Sequence, residues 1–387
     1  MDERHKRTLF DSKLRRAVYI VICALPVVLT ALFYALRSNP DVMGRAAAGI
    51  SAPVRSALGL FSLVYPLSLM EVVCTVAVAW LIFYIVRSVM VTVHRRGKLK
   101  ILSKRLLTVL VVVFYIWSMY CWLWNCGYFA PGFAESNGFS SAGVSVADLT
   151  TVTKLFAEKA NEFSLLVKRD QDGRYSEDRR EFTAASTDIY GNIASEYPCL
   201  EGRLYSPKPM LLYSWLMSRT GYTGIYFALT GESNINTQAP GFLMPATIAH
   251  ELAHQRGVFA EDEANFVGIA ACLTSGNVVY EYAGWLMGLM YLSNALSHAD
   301  VEAWLDVTSG FSAEVRLDWQ ENHDFWQSQK TVDTGIEFVS NLLTTVTETV
   351  SGAVDTVYDG YLRSQNQTLG LKSYGACVDL LVEYFSA

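Results

Sequence analysis

The chain has 387 residues, 51% of them apolar, with a positive mean hydropathy of +0.22, a balance that argues against an ordinary soluble globule and for membrane segments. Its net charge of −6 is unevenly spread: residues 1–126 hold 16 basic and 5 acidic side chains (+11), and residues 127–387 hold 15 and 32 (−17). So acidic a C-terminal part lacks the basic face that nucleic-acid binding needs and is not expected to lie flat on anionic lipid.

Three apolar runs open the chain: Ala17 to Leu36, Leu67 to Val91 and Leu106 to Phe129. Each reaches the roughly 20 residues that a helix needs to cross the hydrocarbon layer, where unpaired backbone groups leave little choice but a helix. The first run follows basic residues as a signal peptide would, but its apolar stretch is longer than the usual ~7 to 15 residues and no small-residue cleavage pattern closes it, so it reads as a retained span. Trp117, Trp122, Trp124, Tyr128 and Phe129 crowd the end of the third run as an interfacial aromatic belt would. Lys and Arg concentrate before the first run and between the second and third, whereas the first loop has only Arg37, Arg45 and Arg55. The positive-inside rule then places the N-terminus in the cytoplasm and everything after the third span outside. Glu71, inside the second run, suggests either an intramembrane partner or a span end at the interface.

Residues 1–129 therefore read as a membrane domain, 130–147 as a Gly/Ser/Pro-rich linker, and 148–387 as one outer domain. A helix is expected from Asp148 or Thr150 to Lys168, and a second from Asp178 to Glu196. The glycine-bounded TGIYFAL, Thr223 to Leu229, reads as a strand. Phe266 to Cys272 and Tyr280 to Leu296 read as buried helices, and Val332 to Leu362 and Tyr374 to Phe385 as helices of the C-terminal third. Outside the spans, Cys199, Cys272 and Cys377 are an odd set without CxxC spacing, compatible with one bridge and a free thiol but with no thiolate zinc site.

The densest chemistry lies in HELAHQRGVFAEDEAN, residues 250–265. Pro245 opens a helix on which His250 and His254, four apart, lie one turn above each other and can aim two imidazoles at one ion. Glu251, about 100 degrees round the helix, can reach a water on that ion as general base. This is the HExxH layout of zinc hydrolases. A solvated helix face would use the same letters, but the flanks of PATIAHELAHQRG are apolar, as a buried catalytic helix requires, and Gly257 supplies a left-handed stop. A catalytic zinc needs a third protein ligand. Glu261 and Glu263 lie just past the turn, where acids in a first helical turn also simply favour the dipole. Asn265, four residues after Glu261, could hold a ligand from behind, which favours Glu261 with Glu263 as the alternative. His298 and His323 are remoter candidates.

HELAHQRG, EDEANF, TGESNIN, SYGACVDLL and the three N-terminal spans together resemble an uncharacterised bacterial membrane family, domain of unknown function 3810. The motif is also similar to the gluzincin peptidases, in which the first Glu of an ExxxD or ExEAD motif is the third ligand. That resemblance implies Glu261 as ligand and puts Asn265 at the aspartate position, with a shorter gap after His254 than the pattern. Gly257 fits the metzincin HExxHxxGxxH instead, but Ala260 stands at its third histidine.

The expected architecture is mostly α with a small β-sheet: three N-terminal transmembrane helices followed by a zincin-like extracytoplasmic α+β domain in a bacterial cell membrane. The expected activity is peptide hydrolysis on Zn²⁺ held by His250, His254 and Glu261, with Glu251 as base. Peptide or protein substrates would pair with the Thr223–Leu229 edge strand. Glu232, Asn234 and Asn236 are candidates to line that cleft or are plain turn residues, and Tyr374 or Tyr361 is a candidate oxyanion donor. The rival readings are a non-catalytic metal-containing binding or sensory membrane protein, for which Glu251 would have no use, and a hydrolase of an envelope lipid or amide.

Overall fold

Unpaired backbone groups force the apolar N-terminal runs into helices. The computed structural model, which describes residues 3–94, 98–139, 143–331, 337–369 and 376–386, shows them in chain order as α1 (Glu3–Leu36), α2 (Pro40–Ala46), α3 (Ala52–Val64), α4 (Leu69–His94) and α5 (Lys98–Leu123). Lys13–Leu36, Leu69–Thr92 and Lys98–Leu123 are long and apolar enough to cross a membrane. The third run begins earlier than its apolar core and ends at Leu123, because Asn125–Phe129 tightens into a 3₁₀ turn.

The chain divides into two compact units, one of residues 1–51 and 72–130, the other of 52–71 and 131–387. In the first, α1 packs on α5. Phe33, Met43, Cys121 and Cys126 form its buried centre. Trp122 donates its indole N–H to Leu29 O at 3.0 Å, and Phe33 meets the edges of Trp122 and Phe129. Trp124 and Tyr128 are buried too, so these aromatics turn inward rather than form an exposed belt, since a ring with a nearby partner gains more by packing.

The second unit continues with α6 (Phe133–Ser136), α7 (Val146–Ser164), α8 (Arg179–Ala185), α9 (Gly191–Glu196), α10 (Ser214–Arg219), α11 (Met244–Gln255), α12 (Glu261–Leu273) and α13 (Val278–Ala299). It ends with α14 (Val301–Ser309), α15 (Ala313–Lys330), α16 (Glu337–Ser364) and α17 (Cys377–Ser386). The expected linker is thus partly helical. The expected 178–196 helix is broken in two, capped by Asp178 and interrupted around Ser186 to Tyr190. A three-stranded sheet joins β1 (Lys208–Met210), β2 (Gly224–Phe227) and β3 (Glu232–Asn236) in the order β1-β3-β2. β3 runs parallel to β1 and antiparallel to β2, with Ile225 opposite Asn234, which leaves β2 as an edge strand.

The core lies between α7, α11, α12 and α13, where Phe156, Ile248, Leu252, Phe266, Leu286 and Leu289 are fully buried, each contributing roughly 2 kcal/mol. A Cβ on Gly288 would stand 2.3 Å from the Phe156 ring, so α13 can press on α7 only with glycine there. The apolar runs of 266–272 and 280–296 are these core helices, as expected. Cys199, Cys272 and Cys377 are all free thiols, two of them buried.

Candidate metal centre

Pro245 sits in the first turn of α11, where a missing N–H is harmless. Ile248, Ala249, Leu252 and Ala253 then fill the core, leaving His250 and His254 on the side that meets α12. The helix stops at Arg256, and Gly257 turns the chain back with φ of 87° in the left-handed region. A Cβ on Gly268 of α12 would lie 2.7 Å from His250 N, so the two helices touch at backbone level. Only this close approach lets the first residue of α12 reach the histidines of α11.

His250 Nε2 lies 3.3 Å and His254 Nε2 3.5 Å from Glu261 Oε2, and ligand atoms of the three residues all lie within 4.8 Å of one another. A tetrahedral zinc with bonds of about 2.0–2.1 Å has ligand-to-ligand edges of about 3.3–3.4 Å, so the spacing fits that ion. His254 Nδ1 is 2.7 Å from Val258 O; an N–H there directs the Nε2 lone pair at the centre. Tyr358 of α16 donates to Glu261 Oε1 at 3.0 Å, while Glu261 Oε2, buried, has no hydrogen-bond donor among the described residues. Burial pushes the Glu261 carboxyl up, but the two imidazoles outweigh it and hold it well below the ordinary carboxylate range. Burial pulls His254 down, and Glu261 overrides it upward. Two nitrogens and a carboxylate oxygen in one dry site are a borderline-soft donor set that suits zinc.

Glu251 is buried beside the centre, and burial raises its carboxyl to about 7 against the pull of the two histidines. A Cβ at residue 224 would lie 2.5 Å from Glu251 Oε1, so Gly224 is what allows the head of β2 to approach it. Glu251 and His250 line a cavity of about 600 Å³ with Tyr222, Thr223, Gly224, Asn265 and Tyr291, closed on other sides by Trp326 and Asp355. The Tyr222 hydroxyl is buried there without a hydrogen-bond partner among the described residues.

The structure separates the two candidate third ligands. Glu263 turns away and accepts the amides of Phe133 and Ala134 at 2.9 and 2.8 Å, capping α6. Asn265 is buried at the cavity and hydrogen-bonds Tyr291. Glu232, Asn234 and Asn236, expected to line the cleft or to be plain turn residues, form part of the central strand and are not among the residues that line this cavity. Side chains alternate along a strand, and it is Ser233, donating to Glu251 O at 2.9 Å, that faces α11, which turns the even-numbered residues the other way. Glu232 accepts from Met70 N at 3.1 Å, Asn234 from Ser68 Oγ at 2.6 Å, and Asn236 donates to Ser218 Oγ at 2.9 Å. Tyr374 lies outside the described residues, Tyr361 stacks on Tyr358, and His298 and His323 are exposed.

Arg55 of the first loop and Glu71 of the second run have partners that sequence reasoning did not name. Arg55, counted only as a topology charge, is buried in the second unit; its guanidinium donates to His254 O at 3.0 Å and to the Tyr226 hydroxyl at 3.2 Å, and stacks over Phe259. A cation at these last carbonyls suits the helix dipole and steadies the ligand turn. Glu71 accepts the amides of Leu211, Leu212 and Tyr213 at 3.0, 2.7 and 2.8 Å. Tyr358 was equally invisible, because nothing in the pattern of α16 marks it from its neighbours.

Among known protein families, residues 47–382 match the one described as Protein of unknown function (DUF3810), and the chain belongs to it. No curated protein and no solved structure matches.

Proposed function

We propose that this member of a family of unknown function is a membrane-anchored, zinc-dependent hydrolase, a peptidase by preference, whose zincin-like domain lies on the extracytoplasmic side of a bacterial membrane. The reading is carried by one observation: Glu261 Oε2 stands 3.3 and 3.5 Å from the Nε2 atoms of His250 and His254, and His250 lines a cavity together with Glu251. Zinc, when bound by His250, His254 and Glu261, supplies Lewis acidity that polarises a carbonyl and acidifies water. Glu251 takes the proton of the attacking water and returns it to the leaving amine. Its burial, which disfavours the charged form, makes the carboxylate a stronger base. β2, the edge strand beside Glu251, pairs with an extended peptide, holding it across the cavity. Tyr222, with its hydroxyl uncommitted in the cavity, donates to the developing oxyanion. His254 is kept in register by Val258 O and by Arg55 behind it.

The test measures metal content and hydrolysis of a peptide library in parallel. Wild type is expected to hold about one zinc, Glu263→Ala to keep it, Glu261→Ala to lose it, and Glu251→Gln to keep it while losing hydrolysis by about 10²–10⁴-fold. Zinc retained without any hydrolysis would turn the reading toward a metal-containing binding or sensory module. Absence of zinc from wild type after metal is supplied would sink both.

A further inference from the structure

The second unit carries a surface that its catalytic reading does not use. Between Arg55 and Glu71 the chain has no charged side chain, and between Lys208 and Arg219 it has none either. Among its described side chains α3 buries Arg55, with Gly59 buried too and Ser56 meeting the Tyr205 hydroxyl at 3.2 Å; a Cβ on Gly59 would stand 2.6 Å from the Tyr205 ring, so the helix lies tight on the domain. Val54, Leu60, Phe61, Leu63 and Val64 are exposed, Val64 at 87%. In the second stretch Leu211 and Leu212 are exposed, and Trp215 at 57%. Large apolar side chains exposed in such number mark a surface that meets a partner.

The two stretches are tied together. Glu71 accepts the amides of residues 211–213, Met70 donates to Glu232, and Ser68 donates to Asn234, all within the second unit. Glu71 is also the third residue of α4, whose span begins at Leu69. The exposed leucines and Trp215 are therefore held at the first turn of a membrane span, where an apolar ring with a polar edge is at home. We propose that α3 and residues 211–216 form one docking surface for the lipid interface of the bilayer that α4 crosses. The attraction is apolar, so the acidic balance of the unit does not oppose it on neutral lipid.

The surface has a consequence for the cleft. Trp215 lies on α10, whose far end, Ser218 and Arg219, lines the cavity that holds Glu251. Six helical residues rise about 9 Å, so docking holds the rim of the cavity within about 10 Å of lipid. Substrates would be met close to the membrane surface, not in bulk solution.

The experiment uses the full chain in phosphatidylcholine vesicles, with a fluorophore on a cysteine introduced singly at Val64, Leu212 or Trp215 over a Cys199→Ser parent. Glu302→Cys on exposed α14 is the aqueous control, Ile82→Cys the span control, and the labelled parent the blank. Lipid-borne nitroxide is expected to quench Val64→Cys, Leu212→Cys and Trp215→Cys several-fold more than Glu302→Cys, and aqueous iodide to quench them less. Iodide quenching equal to that of Glu302→Cys, with Ile82→Cys quenched by lipid, would overturn the docking surface and leave the span standing. Shielding from both quenchers would also overturn it, by showing that protein covers the face. If Ile82→Cys is not quenched by lipid, the span and the docking surface fall together.

Discussion

Two rows of buried polar side chains lie within one unit, and they have opposite characters. His250, His254 and Glu261 aim their atoms at one another across 3.3 and 3.5 Å, and Glu261 Oε2 has no donor of its own among the described residues. Glu232, Asn234 and Asn236, equally buried at regular spacing on β3, reach outward to different partners: Met70 N, Ser68 Oγ and Ser218 Oγ. A buried polar group costs free energy unless something satisfies it. The β3 row spends its atoms on separate partners in its own chain, Glu232 Oε1 alone lacking one among the described residues, whereas the histidine row converges on a single point where a ligand would fit. Convergence, rather than polarity or burial, separates a site from a framework.

A chelator should therefore split the two rows. With free zinc a thousandfold above its dissociation constant, linkage adds about 4 kcal/mol to the folded state, a rise of roughly 10 °C in the melting temperature of a unit this size. Melting the detergent-solubilised protein with zinc and with chelator should show that shift in wild type and in Asn234→Ala, and not in Glu261→Ala. A shift lost in Asn234→Ala as well would mean that the β3 row serves the centre, and the division would fail.

The second break acts on the segment that the β3 row holds. Glu71→Ala removes the acceptor of three amides, charge-assisted bonds whose loss strands buried donors and costs about 3 kcal/mol. The melting temperature should fall while the zinc content stays at wild-type level. Zinc lost along with stability would join framework and site.

How much of this could be read from the letters follows the same division. The three apolar helices, the α11 turn at Gly257 and the core helices α12 and α13 were legible because period, length and a single glycine dictate them locally. Preference for Glu261 over Glu263 was legible only as an argument from spacing; the geometry rests on Gly268 pressing α12 against His250, a contact between distant segments. The partners of Arg55, Glu71 and Tyr358 were hidden for the same reason, each lying more than 90 positions away. Glu232, Asn234 and Asn236 were read as cleft or turn residues, and neither reading made ESNIN a strand. A strand five residues long, buried on both faces, has no alternation of polar and apolar residues to announce it.

The smallest effect is the most exacting for the comparison. Burial raises the Glu232 carboxyl above its ordinary range, a shift that the Thr230 side chain, Met70 N and Lys208 only partly offset. The folded state then binds more protons than the unfolded one between the unfolded and folded pKa values, so stability falls as pH rises through that window and levels off above it. Glu232→Gln keeps an oxygen for the Met70 amide and cannot ionise. It should match wild type near about pH 4, where the carboxyl is mostly protonated, and exceed it by under about 1 kcal/mol near neutrality, read as melting temperatures at the two pH values. A framework residue gains from losing its charge in this way. If Glu232→Gln instead loses stability as pH rises, the carboxylate is wanted ionised beside Lys208, and the β3 row would be an ion-pairing device rather than the neutral scaffold that sets it apart from the histidine row.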